Sequence, residues 1–375
     1  MHKIHSAVVL PLALGTLLSA CGSDGAPTPS GSGSPKDTGH SSAAALPSPS
    51  AASPVLAEAS KAFNPRLLRR FSPARAILKS ESNPLSDEKI ALGRMLYFDK
   101  RLSKDRDVSC NSCHKLDAYG VDGQPTSPGH KGQRGGRNSP TVYHAAGYFT
   151  QFWDGRAADV EEQAKGPILN PIEMAMTSGD EVMKRLRAIP GYVDAFSKAF
   201  PAEPSPMTYD NLGRAIGAFE RKLTTRSRWD GYLTGNASAL QPSELEGLKI
   251  FTNVGCMVCH TGELLGGTSY QRVGAVEPWP NQEDPGRFKV TKNVADRMMF
   301  KVPTLRNIAM TAPYFHDGSA KTLGEAVRLM GKHQLGLDLS DVEVSAIVAW
   351  LGSLTGDLPK EYIAEPSLPP NSTKT

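Results

Sequence analysis

Apolar residues recur every three to four positions along several segments of the chain, a spacing that predicts helices. Ile90 to Phe98, Val182 to Ile189 and Leu212 to Leu223 each carry such a stripe, and Val344, Ile347, Leu351 and Leu354 share one face further on. Capping-box pairs mark three predicted starts, Ser243 with Glu246, Thr322 with Glu325 and Ser340 with Glu343, and Gly356 suits the stop of the last helix. Alternating runs of β-branched residues are nearly absent, so the expected fold class is all-α. Long Gly/Pro-rich loops separate the predicted helices, notably Gly120 to Pro140 and Gly262 to Gly286. Loops of that length inside a compact domain usually carry function.

The pattern differs at the N-terminus. Val8 to Ala20 is a run of thirteen largely apolar residues interrupted by Pro11, with Lys3 the only charged residue before Cys21. It is too short to span a bilayer and reads as an export signal over residues 1–20. Leu18-Ser19-Ala20-Cys21 looks like the lipobox of a bacterial lipoprotein, in which Cys21 is acylated and becomes the new N-terminus. Gly22 rather than aspartate follows it, so the expected location is the periplasm, lipid-anchored to the outer membrane of a diderm host. From Gly22 to Pro54 the chain is mostly Pro, Ser, Gly and Ala and cannot bury enough apolar area to offset its ordering entropy. Residues 21–58 are therefore expected to form a tether, reaching roughly 30 to 35 Å. With 42 basic and 38 acidic residues, the net charge of +4 provides no basic stripe for nucleic acid and no polybasic cluster for acidic lipid. The lipid is the only membrane attachment expected.

The cysteines change the picture most. Cys110-Asn111-Ser112-Cys113-His114 and Cys256-Met257-Val258-Cys259-His260 are both C-x-x-C-H, the pattern of c-type haem attachment. Two thiols one helical turn apart can each add to a haem vinyl group, which sets the adjacent His beneath the iron as proximal ligand. Chance occurrence of one such motif at this composition is roughly 0.002. A zinc ribbon or dithiol redox pair explains neither the His after both pairs nor the 143-residue interval between Cys113 and Cys256. The motifs also sit in an internal echo: Gly93-Arg94-Met95-Leu96-Tyr97 leads to Cys110 as Gly247-Leu248-Lys249-Ile250-Phe251 leads to Cys256. Two haem domains are expected, 59–223 and 224–357, with a tail, 358–375, packing back on the first.

An exported two-haem protein could carry electrons, reduce peroxide, or oxidise residues of a partner protein. A simple carrier needs both irons closed, whereas peroxide chemistry needs one distal face that opens beside an acid-base group. Spacing leaves His130 and His144 open as further ligands after the first motif. After the second it leaves His316, His333, Met298, Met299, Met310 and Met330.

Between about Asn83 and Lys360 the sequence strongly resembles the bacterial dihaem cytochrome c peroxidases. The carriers are Gly120-Val121-Asp122-Gly123, Pro128-Gly129-His130, Arg137-Asn138-Ser139-Pro140-Thr141, Gln151-Phe152-Trp153-Asp154-Gly155-Arg156, Glu162-Gln163-Ala164-Lys165-Gly166-Pro167, Pro171-Ile172-Glu173-Met174, Phe300-Lys301-Val302-Pro303-Thr304-Leu305-Arg306-Asn307 and Pro313-Tyr314-Phe315-His316-Asp317-Gly318, together with the helix ending at Met330. The resemblance implies that hydrogen peroxide is reduced at a low-potential N-terminal haem, with His114 proximal and His130 the distal ligand that leaves on activation. It implies catalytic roles for Glu173, the carboxylate over the opened site, Gln163, the amide beside it, and Trp153, an aromatic between the haems. It further implies Met330 as axial ligand opposite His260 at a high-potential C-terminal haem, where electrons enter from a small c-type cytochrome or cupredoxin. A calcium ion held by Asn138, Thr311 and Pro313 is implied as well, and dimerisation is common in the family. The related methylamine-dehydrogenase maturation enzymes, which oxidise residues of a partner protein, use a tyrosine where this chain has Met330. A non-enzymatic dihaem carrier would have no use for Glu173 and Gln163.

Overall fold

A computed structural model describes residues 64–371. The export signal, Cys21 and the whole tether lie outside them. The helices in chain order are α1 (Asp87–Phe98), α2 (Cys110–Cys113), α3 (Val160–Leu169), α4 (Gly179–Arg187), α5 (Pro190–Ala199) and α6 (Tyr209–Glu220), then α7 (Arg228–Leu233), α8 (Pro242–Asn253), α9 (Phe288–Thr291), α10 (Leu323–Leu329), α11 (Asp341–Gly352) and α12 (Lys360–Ile363). Strands β1 (Tyr270–Arg272) and β2 (Met299–Lys301) form one antiparallel pair, Gln271 opposite Phe300. The fold is all-α apart from that ribbon. Among the described residues no helix is long and apolar enough to cross a membrane.

Polar caps begin most of the longer helices. Ser86, Asp159, Ser178 and Thr208 accept from the backbone three residues on, and Ser340 with Glu343 closes the expected capping box on α11. Two expected boundaries shift. Helix α8 starts before Ser243: Pro242 supplies the first helical φ, and Gln241 and Glu244 form the box, with the Glu244 carboxylate also paired to Arg228. Helix α11 stops at Gly352 rather than Gly356, its C-terminal cap formed by Ser353, whose hydroxyl turns back to the Trp350 carbonyl.

The helices surround two apolar cores. In the first, α1 lies against α6 and α5, α3 against α6, and Leu92, Leu96, Tyr97, Ile216, Phe219 and Leu223 are buried among them. In the second, α8 packs on α11 and buries Leu248, Phe251, Ile347, Trp350 and Leu351 with Trp229. The glycines of the sequence echo occupy matching places. A Cβ on Gly93 would stand 1.9 Å from the Ala215 carbonyl oxygen and 3.0 Å from Phe219 Cβ; on Gly247 it would stand 1.9 Å from the Ala346 oxygen and 3.0 Å from Trp350 Cβ. Each core is thus a helix crossing too close for any side chain at its centre, set just upstream of a C-x-x-C-H segment.

The chain crosses between the cores at both ends. Phe71, numbered with the first domain in the sequence, packs edge-on against Trp229 of the second core, ring centroids 5.4 Å apart. Beyond α11 the tail lies on the first core: Tyr362 stacks on Phe219 and donates to its carbonyl, while Arg101 reaches the Pro369 carbonyl.

Candidate functional site

The two attachment segments share one geometry. Cys110 and Cys113 bracket a single helical turn capped by Ser109 and Ser112, and the second pair sits on a tighter turn from Cys256. After each, the His backbone N–H returns to the carbonyl of the first cysteine, 3.0 Å at His114 and 3.1 Å at His260. Each imidazole then gives its Nδ1 proton to a loop carbonyl, Pro140 for His114 and Leu265 for His260, both at 3.0 Å. That bond fixes the tautomer and leaves Nε2 as a lone-pair donor, the arrangement a proximal iron ligand requires. Burial lowers both imidazole pKa values, despite the carbonyl bonds, which keeps the rings neutral. It also pushes the thiols up, Cys110 and Cys256 to about 12 and Cys113 to about 11. All four are unpaired with one another, and no cluster of three or more His, Cys, Asp or Glu is gathered for a metal ion among the described residues. The zinc-ribbon alternative therefore has no geometry, and the residues fit covalent haem at both motifs.

Three loops converge beside the first motif. The His130 backbone N–H is shared between the carbonyls of Ile172 (2.9 Å) and Glu173 (2.8 Å). Gly129 makes that approach possible, since a Cβ there would meet the Ile172 oxygen at 2.2 Å and Glu173 Cα at 2.8 Å. The buried His130 ring places Nδ1 3.4 Å from Asp105 Oδ2, and the Asp105 loop is pinned by Lys104 N–H to the Met174 carbonyl at 2.8 Å. Burial raises the Glu173 pKa above its ordinary value, against the pull of Arg156 and of the Asn170 amide, which donates at 2.7 Å. Gln163 lies half-buried on the second turn of α3.

His144, the other ligand left open by spacing, is fully buried and committed elsewhere. Its Nε2 accepts from the Thr225 N–H at 3.2 Å and lies 3.1 Å from the Thr225 hydroxyl, which itself donates to Asn307. Burial pushes its pKa down to about 3. Its role is to tie loop to loop.

Around the second motif, Met330 packs with Trp279, Met298 and Phe300 and opens a π-helical turn that runs to Leu335. Met310 is largely exposed at 48%. Met299 lies on β2, and the buried His333 ring directs Nδ1 to the Glu277 carbonyl. His316 stacks on Phe300 with ring centroids 4.2 Å apart. The half-buried Trp153 lies 6.4 Å from His316, edge-on, and donates its indole N–H to the Asn138 carbonyl at 2.9 Å. Asn138 itself donates its backbone N–H to the His316 carbonyl at 2.7 Å, while its side-chain amide N–H goes to Gln124. Thr311 and Pro313 precede the same His316 segment. Arg137 locks this junction by pairing with both Asp154 and Asp284, and Asp284 is held well below the ordinary carboxylate range despite its burial. Asp105, Asp284 and Lys301 were not singled out as site residues by sequence reasoning; lone charges in loops or strands carry no periodic or spacing signal.

Two helical cores, each presenting a C-x-x-C-H turn and an imidazole oriented by a backbone carbonyl, define an all-α, two-haem c-type cytochrome. The sequence pattern of the di-haem cytochrome c peroxidase family matches residues 87–238. The chain is 47% identical to the cytochrome c551 peroxidase of Nitrosomonas europaea over 294 residues, 78% of this chain and 86% of that protein. It is 46% identical to the cytochrome c551 peroxidase of Pseudomonas aeruginosa over 305 residues, 80% and 87% of the two chains. Among solved structures, a MauG-like protein associated with microbial copper homeostasis superimposes with a TM-score of 0.70 at 30% identity, covering 81% of this chain and 99% of the other. The chain belongs to the di-haem cytochrome c peroxidase family. It is a peroxidase with two haem c groups, and hydrogen peroxide is its substrate.

Proposed function

We propose that electrons reach this enzyme from a small c-type cytochrome or cupredoxin on its C-terminal side and are used against peroxide at the N-terminal haem, beside His130 and Glu173. The haems would supply the two redox centres, one held by His260 and Met330 and the other by His114 together with His130, which would give way on activation. The soft thioether of Met330 favours the reduced state, which suits the receiving side, while paired imidazoles favour the oxidised state. Trp153, hydrogen-bonded to the Asn138 carbonyl, spans the junction between the two sides. Asn138 has its side-chain oxygen available, and with the carbonyls of Thr311 and Pro313 it offers part of the oxygen shell that calcium takes.

Glu173 carries the chemistry. With the haem supplying the redox chemistry, its carboxylate would take a proton from one peroxide oxygen and return it to the other, so that water can leave. Burial raises the Glu173 pKa above its ordinary value, the direction that suits a group which must both accept and return a proton. Asn170 holds the carboxylate in place through Oε1, and Gln163 is the amide that the family resemblance assigns beside it. The single observation behind this reading is the joining of His130 and Glu173 by backbone hydrogen bonds, which puts the displaceable ligand and the acid-base group on one structural unit.

The test is Glu173→Gln, which keeps size and polarity but cannot shuttle the proton. Turnover with peroxide and a reduced cytochrome should fall by about 10² to 10⁴, with both haem spectra and reduction by the donor unchanged. Wild-type turnover would remove Glu173 from the proton transfer. The structural likeness to a MauG-like protein supports a second reading, oxidation of residues on a partner protein; full turnover with peroxide and cytochrome alone distinguishes the two. The lipobox at Cys21 supports attachment of the enzyme to a membrane facing the periplasm.

A further inference from the structure

Lys301 ends β2 with only 5% of its surface exposed. Its backbone N–H donates to the Trp153 carbonyl at 2.8 Å. The residues after it are knitted to the loop that follows the second C-x-x-C-H motif. Val302 donates to Ser269 at 3.0 Å and accepts from Gly267 at 2.7 Å, and the Thr304 hydroxyl donates to the Leu264 carbonyl at 2.6 Å. Leu265 in that loop is the residue whose carbonyl orients His260. Lys301 therefore stands between the Trp153 loop and the loop that sets the second proximal histidine.

Its side chain is an anomaly in this molecule. Other deeply buried cations have acidic partners: Arg306 with Asp230, Arg221 with Glu161, and Arg137 with Asp154 and Asp284. Buried Lys89 has two oxygen acceptors, Asn83 Oδ1 and the Pro84 carbonyl. The Lys301 ammonium has only the face of Tyr148, 3.6 Å from the ring centroid, and no hydrogen-bond or ion-pair partner among the described residues. Burial pushes its pKa down to about 7, with no charged neighbour contributing. A ring face offsets only part of the desolvation of an ammonium ion. Yet the polypeptide supplies no anion here.

We infer that Lys301 is a cofactor-binding residue whose ammonium pairs with a propionate carboxylate of the haem attached at Cys256 and Cys259. Haem carries two propionates, and thioether attachment fixes where they lie, so the cofactor brings the missing acceptor. The pairing neutralises a carboxylate beside the iron and favours the reduced state, in keeping with an electron-receiving centre. The inference rests on haem attachment at the second motif and is independent of the peroxide chemistry assigned to Glu173.

The test uses the haem-loaded protein, with Lys301→Met and Lys301→Arg each confirmed to hold two haems per chain. Potentiometric titration followed optically should show the His260 haem of Lys301→Met harder to reduce by about tenfold in its equilibrium constant, about 59 mV for one electron. Lys301→Arg should restore most of the shift. An unchanged potential, or a shift confined to the His114 haem, would overturn the assignment. A wild-type potential that follows added chloride or phosphate, with the dependence lost in Lys301→Met, would assign the ammonium to a free ion instead. Resonance Raman of the wild-type protein needs no variant: the propionate bending bands should include a hydrogen-bonded carboxylate on the His260 haem, and bands of free propionates alone would refute the pairing.

Discussion

Replacing Arg306 by Met should destabilise the haem-loaded protein by about 3 to 5 kcal/mol at pH 7, the usual consequence of stripping one partner from a buried ion pair. The site leaves little room for relaxation. Side-chain exposure is 1% for Arg306 and 4% for Asp230, and the guanidinium meets both carboxylate oxygens, at 2.9 and 3.0 Å. It also donates to the carbonyls of Glu263 (2.6 Å) and Ser72 (3.3 Å). Asp230 meanwhile accepts from the backbone of Ala74 and Ser227. The knot thus gathers the entering chain, the start of α7 and the loop after His260. Burial alone would raise the Asp230 pKa, but Arg306, together with the backbone N–H groups of Ala74 and Ser227, offsets it and leaves the carboxyl below its ordinary value. With the pair intact, this contribution is present at neutral pH and lost as pH falls through the depressed folded pKa. Without Arg306 the depression disappears, burial dominates, and protonation of Asp230 relieves the variant. The stability gap should therefore narrow between pH 7 and pH 4. Guanidinium unfolding followed by far-ultraviolet circular dichroism at both pH values measures it. A gap below about 1 kcal/mol at pH 7, the range of an exposed pair, or one that does not change on acidification, would refute the reasoning. Adding Asp230→Leu should recover part of the loss, because no unpaired charge then remains.

His130→Ala should yield an oxidised first haem that binds cyanide or azide without prior reduction; an unchanged six-coordinate spectrum would require another distal ligand, and His144 is unsuited because Thr225 occupies its Nε2. Met330→His should lower the potential of the second haem, as a nitrogen donor replaces the thioether, and an unchanged titration would turn attention to Met298 or Met299. Chelating calcium should slow activation while both haems stay bound, with recovery on adding the ion back; activation at the original rate in chelator would remove the ion from the mechanism.

Much of the catalytic half was legible in the sequence because covalent haem attachment demands fixed spacing. Cys110, His114, Cys256 and His260 announce themselves, and the Gly93 and Gly247 echo, which pointed to two similar domains, falls at the two helix crossings. Spacing could not separate His130 from His144, since both follow the first motif in Gly-rich loops; the bond from Thr225 N–H to His144 Nε2, a tertiary contact, is what the structure adds. The partner of Arg306 lies 76 positions earlier and that of Arg137 lies 147 later, separations at which no local pattern survives. Phe71 reaches the second core for the same reason: its partner Trp229 is brought to it by tertiary folding. Helix α8 starts at Pro242 rather than at Ser243 because Glu244, boxed with Gln241, also pairs with Arg228, a contact that the local pattern does not show.

The close seat of Gly129 against residues 172 and 173 bears on timing. A movement of the His130 backbone would either break the shared N–H from both carbonyls or carry residues 172 and 173 with it. On the roles proposed for His130 and Glu173, such a movement would couple release of the ligand to the position of the carboxylate. An engineer who wished to hold the gate open without disturbing the acid-base group would find no purchase at residue 129, where even a methyl group would part the two strands of the joint. The freer handle lies across the ring, at the half-exposed Asp105.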